Sequence, residues 1–129
     1  MKQIDVLVVD DEEDVYLSTK LALQLLQYEG IDVNVKYSAS ASSAIEMIGE
    51  HTFELIFLDI IMETVNAGYR VIDYINKNHT DDHISIFIRS GQPGNVPEEY
   101  LSMLNNIDGY ISKTDCTMSK LHDIVKSLA

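Results

Sequence analysis

Residues 4–12 read Ile4-Asp5-Val6-Leu7-Val8-Val9-Asp10-Asp11-Glu12. The apolar part is almost continuous and β-branched, the pattern of a strand covered on both faces. Glu13 and Asp14 extend its acidic end, so five carboxylates, residues 10–14, follow the strand without a break. Carboxylates are favoured where a helix begins, because its first amides are unpaired and its dipole is positive there. A helix is therefore expected to start within this run, with one of its acids as the cap. A buried strand that runs straight into a helix is the opening of a βα unit.

The cycle then repeats. From 15 to 28 the apolar residues cover a broad arc, Lys20, Gln24 and Gln27 form a polar stripe, and Gly30 closes the helix. Residues 31–37 alternate Ile31, Val33, Val35 and Tyr37, as a half-exposed strand near a sheet edge does. A short helix over 41–48 precedes the most apolar strand, 55–58, and a helix carrying Val71, Ile72 and Ile75 follows. A strand at 84–88, a Gly- and Pro-rich loop, a short helix around 98–104 and a strand at 110–112 come next. The last helix offers Met118, Leu121, Val125 and Leu128 on one face. Five strands alternating with five helices predict an α/β fold, a parallel sheet covered on both sides. Right-handed crossovers make the flavodoxin-like (βα)5 arrangement, doubly wound with strand order 2-1-3-4-5, the commonest fit.

Length and composition agree. The 129 residues are 46% apolar and carry no repeat or linker, so residues 1–129 are expected to form one domain with a single core. One cysteine, Cys116, excludes an internal disulfide framework and fits a reducing compartment, hence a cytoplasmic location. The first apolar run is interrupted by Asp5 and too short for a signal peptide or membrane span. A net charge of −12 argues against direct nucleic-acid binding. The four histidines lack zinc-ligand spacing, and no phosphate-binding glycine fingerprint follows the first strand.

In such a sheet ligands bind beyond the carboxyl ends of the strands. Those ends carry Asp10, Asp11 and Glu12 after the first strand, Asp59 after the third, Ser90 after the fourth and Lys113 after the fifth. Each has an ordinary reading alone: a helix cap, a strand cap, a turn residue, a surface lysine. Together they place acid, acid, hydroxyl and amine on one edge. Crowded carboxylates repel, and Mg²⁺, which takes oxygen ligands and keeps several waters, relieves that repulsion. A carboxylate beside such a metal can attack phosphorus, while a lysine and a hydroxyl stabilise the transferring oxygens.

Four stretches carry a resemblance along essentially the whole chain: Val6-Leu-Val-Val-Asp-Asp-Glu12, Leu55-Ile-Phe-Leu-Asp-Ile-Ile-Met62, Phe87-Ile-Arg-Ser-Gly91 and Gly109-Tyr-Ile-Ser-Lys113. With them the sequence resembles the receiver domain of two-component response regulators. The resemblance implies that Asp59 accepts a phosphoryl group from a histidine kinase, a phosphotransfer protein or a small phosphodonor. It implies Mg²⁺ held by Asp10, Asp11, Asp59 and the backbone carbonyl of Ile61, Asp11 directly and Asp10 often through water. Ser90 and Lys113 would bind phosphoryl oxygens, and Tyr110 would be the switch aromatic. The surface of the fourth helix, fifth strand and fifth helix would then change for an output domain, a partner protein or a second copy. Such a domain assists only its own phosphorylation and dephosphorylation. The side chains of Ile61 and Gln92 would flank the phosphoryl group and bear on its lifetime.

There are departures. Glu63 stands where receivers usually have proline, and Gly68 lies one residue further from Asp59 than usual. Thr114 replaces a common cis proline, and a cis bond without proline costs about 3 kcal/mol. The loop over 89–97 is similar to that of a receiver subgroup often found ahead of cyclic-dinucleotide-turnover output domains; it also reads simply as a rigid turn into a short helix. Two other functions compete: a receiver-like interaction module that is never phosphorylated, and a haloacid dehalogenase-type phosphatase. The latter needs a second aspartate two positions after the first, where this chain has Glu12.

Overall fold

The first strand, β1 (Lys2–Val9), pairs in parallel with β2 (Ile31–Ser38) on one side and with β3 (Leu55–Leu58) on the other. Beyond β3 follow β4 (Ser85–Ser90) and β5 (Gly109–Ser112), again in parallel. This is the flavodoxin-like order 2-1-3-4-5. The computed structural model describes residues 2–60, 62, 66–78, 83–90, 107–113 and 116–129. The helix expected around 98–104, Ile61, Gln92 and Thr114 lie outside the described residues, as does the side chain of Ser90.

The continuous apolar run of β1 is explained by two cores. Leu7 and Val9 join Ile56, Leu58, Ile86 and Ile88 under α2 (Ala41–Glu50) and α3 (Ala67–Asn78). Ile4, Val6 and Val8 join Leu55 and Phe57 under α1 (Glu13–Gln24) and α4 (Met118–Leu128). Strand side chains alternate between faces, so a strand covered twice must be apolar at every position. β2 lies at the sheet edge and buries Ile31 and Val35 while Asp32 and Asn34 face solvent, as its alternation predicts.

The first helix begins within the acid run, as expected, but departs from expectation in its apolar arc. Its N-cap is Glu12, whose side chain makes no capping bond; instead Asp10 Oδ1 accepts the Glu12 N–H at 2.9 Å. The acid run thus supplies the N-cap residue and a side-chain-stabilised turn leading into it. The helix's broad apolar arc is only partly used. Thr19, Ala22 and Leu23 are buried, whereas Leu17, Leu21, Leu25 and Tyr28 are exposed. The helix tightens to a 3₁₀ turn at Leu25–Glu29, and Gly30 ends it with φ +81°, a conformation open to glycine. On α4 Leu121 and Val125 are buried, but Met118 stays half exposed because it lies in the first turn, at the rim.

Candidate functional site

The main chain carries the acids to the sheet edge. The Asp10 N–H donates to Ser38 O at 3.0 Å and the Asp59 N–H to Val9 O at 2.9 Å, so both residues prolong the ladder just past their strands. Asp10 is 1% and Asp59 6% exposed, while Asp11 is open to solvent. One carboxylate oxygen from each of the three lies within 4.8 Å of the others. Gly68 shapes the floor: its N–H donates to Ile60 O at 2.9 Å, and a Cβ there would meet Asp59 O at 2.5 Å and Ile60 Cα at 2.6 Å. Only glycine lets the start of α3 approach the main chain behind Asp59 this closely.

Lys113, directly after β5, reaches into the cluster. Its Nζ lies 3.1 Å from Asp10 Oδ2, 3.3 Å from Asp59 Oδ2 and 3.5 Å from Glu12 Oε2. Asp10 Oδ2 is buried, and the Lys113 ammonium beside it does not use all of its lone pairs. Burial raises the Asp59 carboxyl to about 6; Lys113 pulls it down, and Asp10 and Asp11 push it up. On Lys113 burial works against the charge, yet Asp59 and Asp10 outweigh it and the ammonium is held above its ordinary value. The field extends to Tyr37, stacked on Tyr16 at 4.7 Å, whose hydroxyl is raised by burial and then by Asp10, Glu13 and Asp11.

Three aspartates facing one ammonium leave an excess of two negative charges. Hard carboxylate oxygens gathered within 4.8 Å and that excess suit a divalent cation such as Mg²⁺. A nucleophilic carboxylate held among the same groups suits phosphoryl chemistry.

Of the residues singled out from sequence, Asp10, Asp11, Asp59 and Lys113 are brought together. Ser90 ends β4 in register with Ser112. Tyr110 stands on β5 beside Ile88, 41% exposed, its hydroxyl raised by burial. The Ile61 carbonyl lies outside the described residues. Sequence reasoning gave no role to Glu12, which belongs to the same acid run and meets Lys113, nor to buried Arg89.

Comparison with known proteins gives a consistent picture. Residues 6–126 match the family model of the response regulator receiver domain. The chain is 30% identical over 124 residues to the 3'3'-cGAMP-specific phosphodiesterase 2 of Vibrio cholerae, covering 95% of this chain and 24% of that protein. It spans about a quarter of the length of the curated relatives it matches. The receiver domain (CheY-like) structure from Methylobacillus flagellatus superposes with a TM-score of 0.78 at 17% identity, covering 99% of this chain and all of that one. The response regulator protein TrrA of Thermotoga maritima, solved in complex with Mg²⁺ and BeF, gives 0.68 at 26% identity with both chains fully covered.

Proposed function

The chain belongs to the response regulator receiver domain family, and from that premise we propose that it is a phosphoacceptor switch with Asp59 as the acceptor. The observation that carries this reading is the convergence of Asp59 with Asp10, Asp11 and Lys113 at the carboxyl edge of the sheet. Asp10, Asp11 and Asp59 would hold Mg²⁺, with the Ile61 carbonyl completing the set by family resemblance. When bound, the ion neutralises the acids and the phosphoryl oxygens.

The chain's own groups do the rest. Asp59 is mostly ionised at neutral pH, because a carboxyl raised to about 6 has lost its proton there. One of its oxygens attacks phosphorus; the O–P bond forms as the P–N bond to the donor's imidazole breaks, and the electron pair leaves on that nitrogen. Lys113 turns from the carboxylates to a phosphoryl oxygen, and the Ser90 hydroxyl bonds another. Tyr110 follows, altering the surface of the segment around 98–104, β5 and α4.

The donor is a histidine kinase, a phosphotransfer protein or a small phosphodonor, and residues 1–129 act as one receiver unit. The exposed stripe of Leu17 and Leu21 on α1 with Leu25 and Tyr28 on the 3₁₀ turn after it gives a partner an apolar surface. The likeness to a cyclic-dinucleotide phosphodiesterase supports an output of that class, in cis or through a partner, and a homodimer could be the form read. Among the described residues no helix is long and apolar enough to cross a membrane, and the proposed setting is the cytoplasm.

The test is incubation with Mg²⁺ and acetyl phosphate, followed by intact mass of wild type and Asp59→Asn. A base-labile addition of one phosphoryl group to the wild type alone is expected. No addition in either, with the fold intact and no response to Mg²⁺, would leave a receiver-like interaction module instead.

A further inference from the structure

Arg89 immediately precedes Ser90 at the end of β4 and is 3% exposed. The strand is held unevenly there. The β3–β4 register runs as far as Leu58 and Ile88, whereas Arg89 and Ser90 pair with Ile111 and Ser112 of β5. Toward β3 and α1 this strand end is secured through the Arg89 side chain instead. Its Cζ lies 4.9 Å from the centre of the ring of Phe57, on β3 two residues before Asp59. Nη1 donates to Thr19 Oγ1 on α1 at 2.8 Å and, more weakly, to Cys116 Sγ at 3.8 Å.

Thr19 carries the connection further. Its hydroxyl donates to Val15 O at 2.7 Å, so it is oriented to accept from Arg89. The Val15 N–H donates to Glu12 O at 3.1 Å, and the Glu12 N–H to Asp10 Oδ1 at 2.9 Å. A series of hydrogen bonds thus runs from the residue before Ser90, along the first turns of α1, to a buried carboxylate of the acid cluster. A guanidinium is planar and always charged, and it fixes its partners in a set geometry that an apolar side chain here would not impose. Geometry matters at this edge, because misplacing a reacting group by about 1 Å can cost about a hundredfold in rate. Building on the phosphoacceptor reading, in which Ser90 bonds a phosphoryl oxygen, we propose that Arg89 is a positioning residue. By tying the end of β4 to Thr19 on α1, it sets where the Ser90 hydroxyl stands relative to Asp59.

Thr19→Val tests this, because it keeps the shape of the side chain and removes the oxygen that receives Arg89. The rate at which Asp59 is labelled by acetyl phosphate with Mg²⁺ is followed by intact mass, with the change made alone and on Ser90→Ala. Alone it should slow labelling about fivefold or more. Ser90→Ala keeps Asp59, the other acids and Lys113. On that background Thr19→Val should change the remaining rate by less than about twofold, since the group that the bond positions is gone. Thr19→Ser, which returns the hydroxyl, should recover most of the rate. Thr19→Val labelling at the wild-type rate, or slowing equally in both backgrounds as merely structural damage would, overturns the proposal. Should Thr19→Val fail to fold, Arg89→Met combined with it replaces both partners by apolar groups and is read in the same way. A wild type that takes up no phosphoryl group would overturn the phosphoacceptor reading itself, and this proposal with it.

Discussion

The Lys113 ammonium lies 3.3 Å from Asp59 Oδ2, although 54 positions separate the two residues and β4 runs between their strands. A parallel sheet makes this meeting possible, because β3 and β5 end on the same edge about 10 Å apart and the long lysine stem spans the gap. The same Nζ meets Asp10 and Glu12, so one flexible cation is shared among three acids. Such an arrangement lets the cation move to a new anion without leaving the edge.

Asp59 should make the metal-free protein less stable as pH rises. Burial holds its carboxyl at about 6 in the folded chain, against 3.8 ordinarily. The folded state therefore keeps the proton where the unfolded chain has lost it. That contribution is fully present below 3.8 and is lost as pH rises through about 6, amounting to about 3 kcal/mol at most. In Asp59→Asn it is absent. Urea denaturation in chelator should show the variant gaining on wild type between about pH 4 and pH 7, by about 2–3 kcal/mol. Saturating Mg²⁺ should close the gap by stabilising wild type more. A difference that does not change with pH would refute the placement of Asp59.

Lys113→Met keeps the apolar stem and removes the charge. In the metal-free protein it should cost about 1–3 kcal/mol, less than a fully buried pair because Lys113 is 24% exposed. Labelling of Asp59 by acetyl phosphate should slow about a hundredfold, as expected on removing one donor to developing phosphoryl charge. Labelling at the wild-type rate would rule out that role.

Gly68→Ala tests the contact behind Asp59. The added Cβ falls 2.5 Å from Asp59 O, where the main chain must give way. Thermal denaturation should register about 1–3 kcal/mol of lost stability, and the displaced Asp59 should label more slowly. Wild-type values for both would mean that the start of α3 is less tightly seated than the 2.9 Å bond from Gly68 N to Ile60 O implies.

Tyr110→Trp places the chain's first tryptophan at the proposed switch position. The Tyr110 side chain is 41% exposed, so the indole should emit as a partly solvated group and shift when Asp59 is phosphorylated. The shift should be missing when Asp59→Asn is added. Emission that ignores phosphorylation would remove position 110 from the switch.

Much of the fold could be read from local patterns. Residues 4–9 and 55–58 are apolar at every position because both faces of the sheet are covered, and 31–37 alternate because β2 lies at an edge. With strands located, the groups at their carboxyl ends followed, so Asp10, Asp11, Asp59 and Lys113 were found as a set. The acid run located the start of α1, with Glu12 at its N-cap, but any acid in residues 10–14 satisfies the composition rule. Which one turns inward depends on the path from β1, and Asp10 is held there by the Ser38 carbonyl. Leu17, Leu21, Leu25 and Tyr28 extended the apolar arc beyond the face that the sheet covers.

By itself the sequence determined the alternation of strands and helices, the parallel sheet and the residues standing at its edge. Those properties depend on periods of two and about 3.6 residues and on strand ends, all of them local. The tertiary structure decided which oxygens converge within 4.8 Å, how far burial raises Asp59, and which acids share the Lys113 ammonium. Each depends on how distant elements pack, because the energy of a charge is set by its neighbours and its access to water.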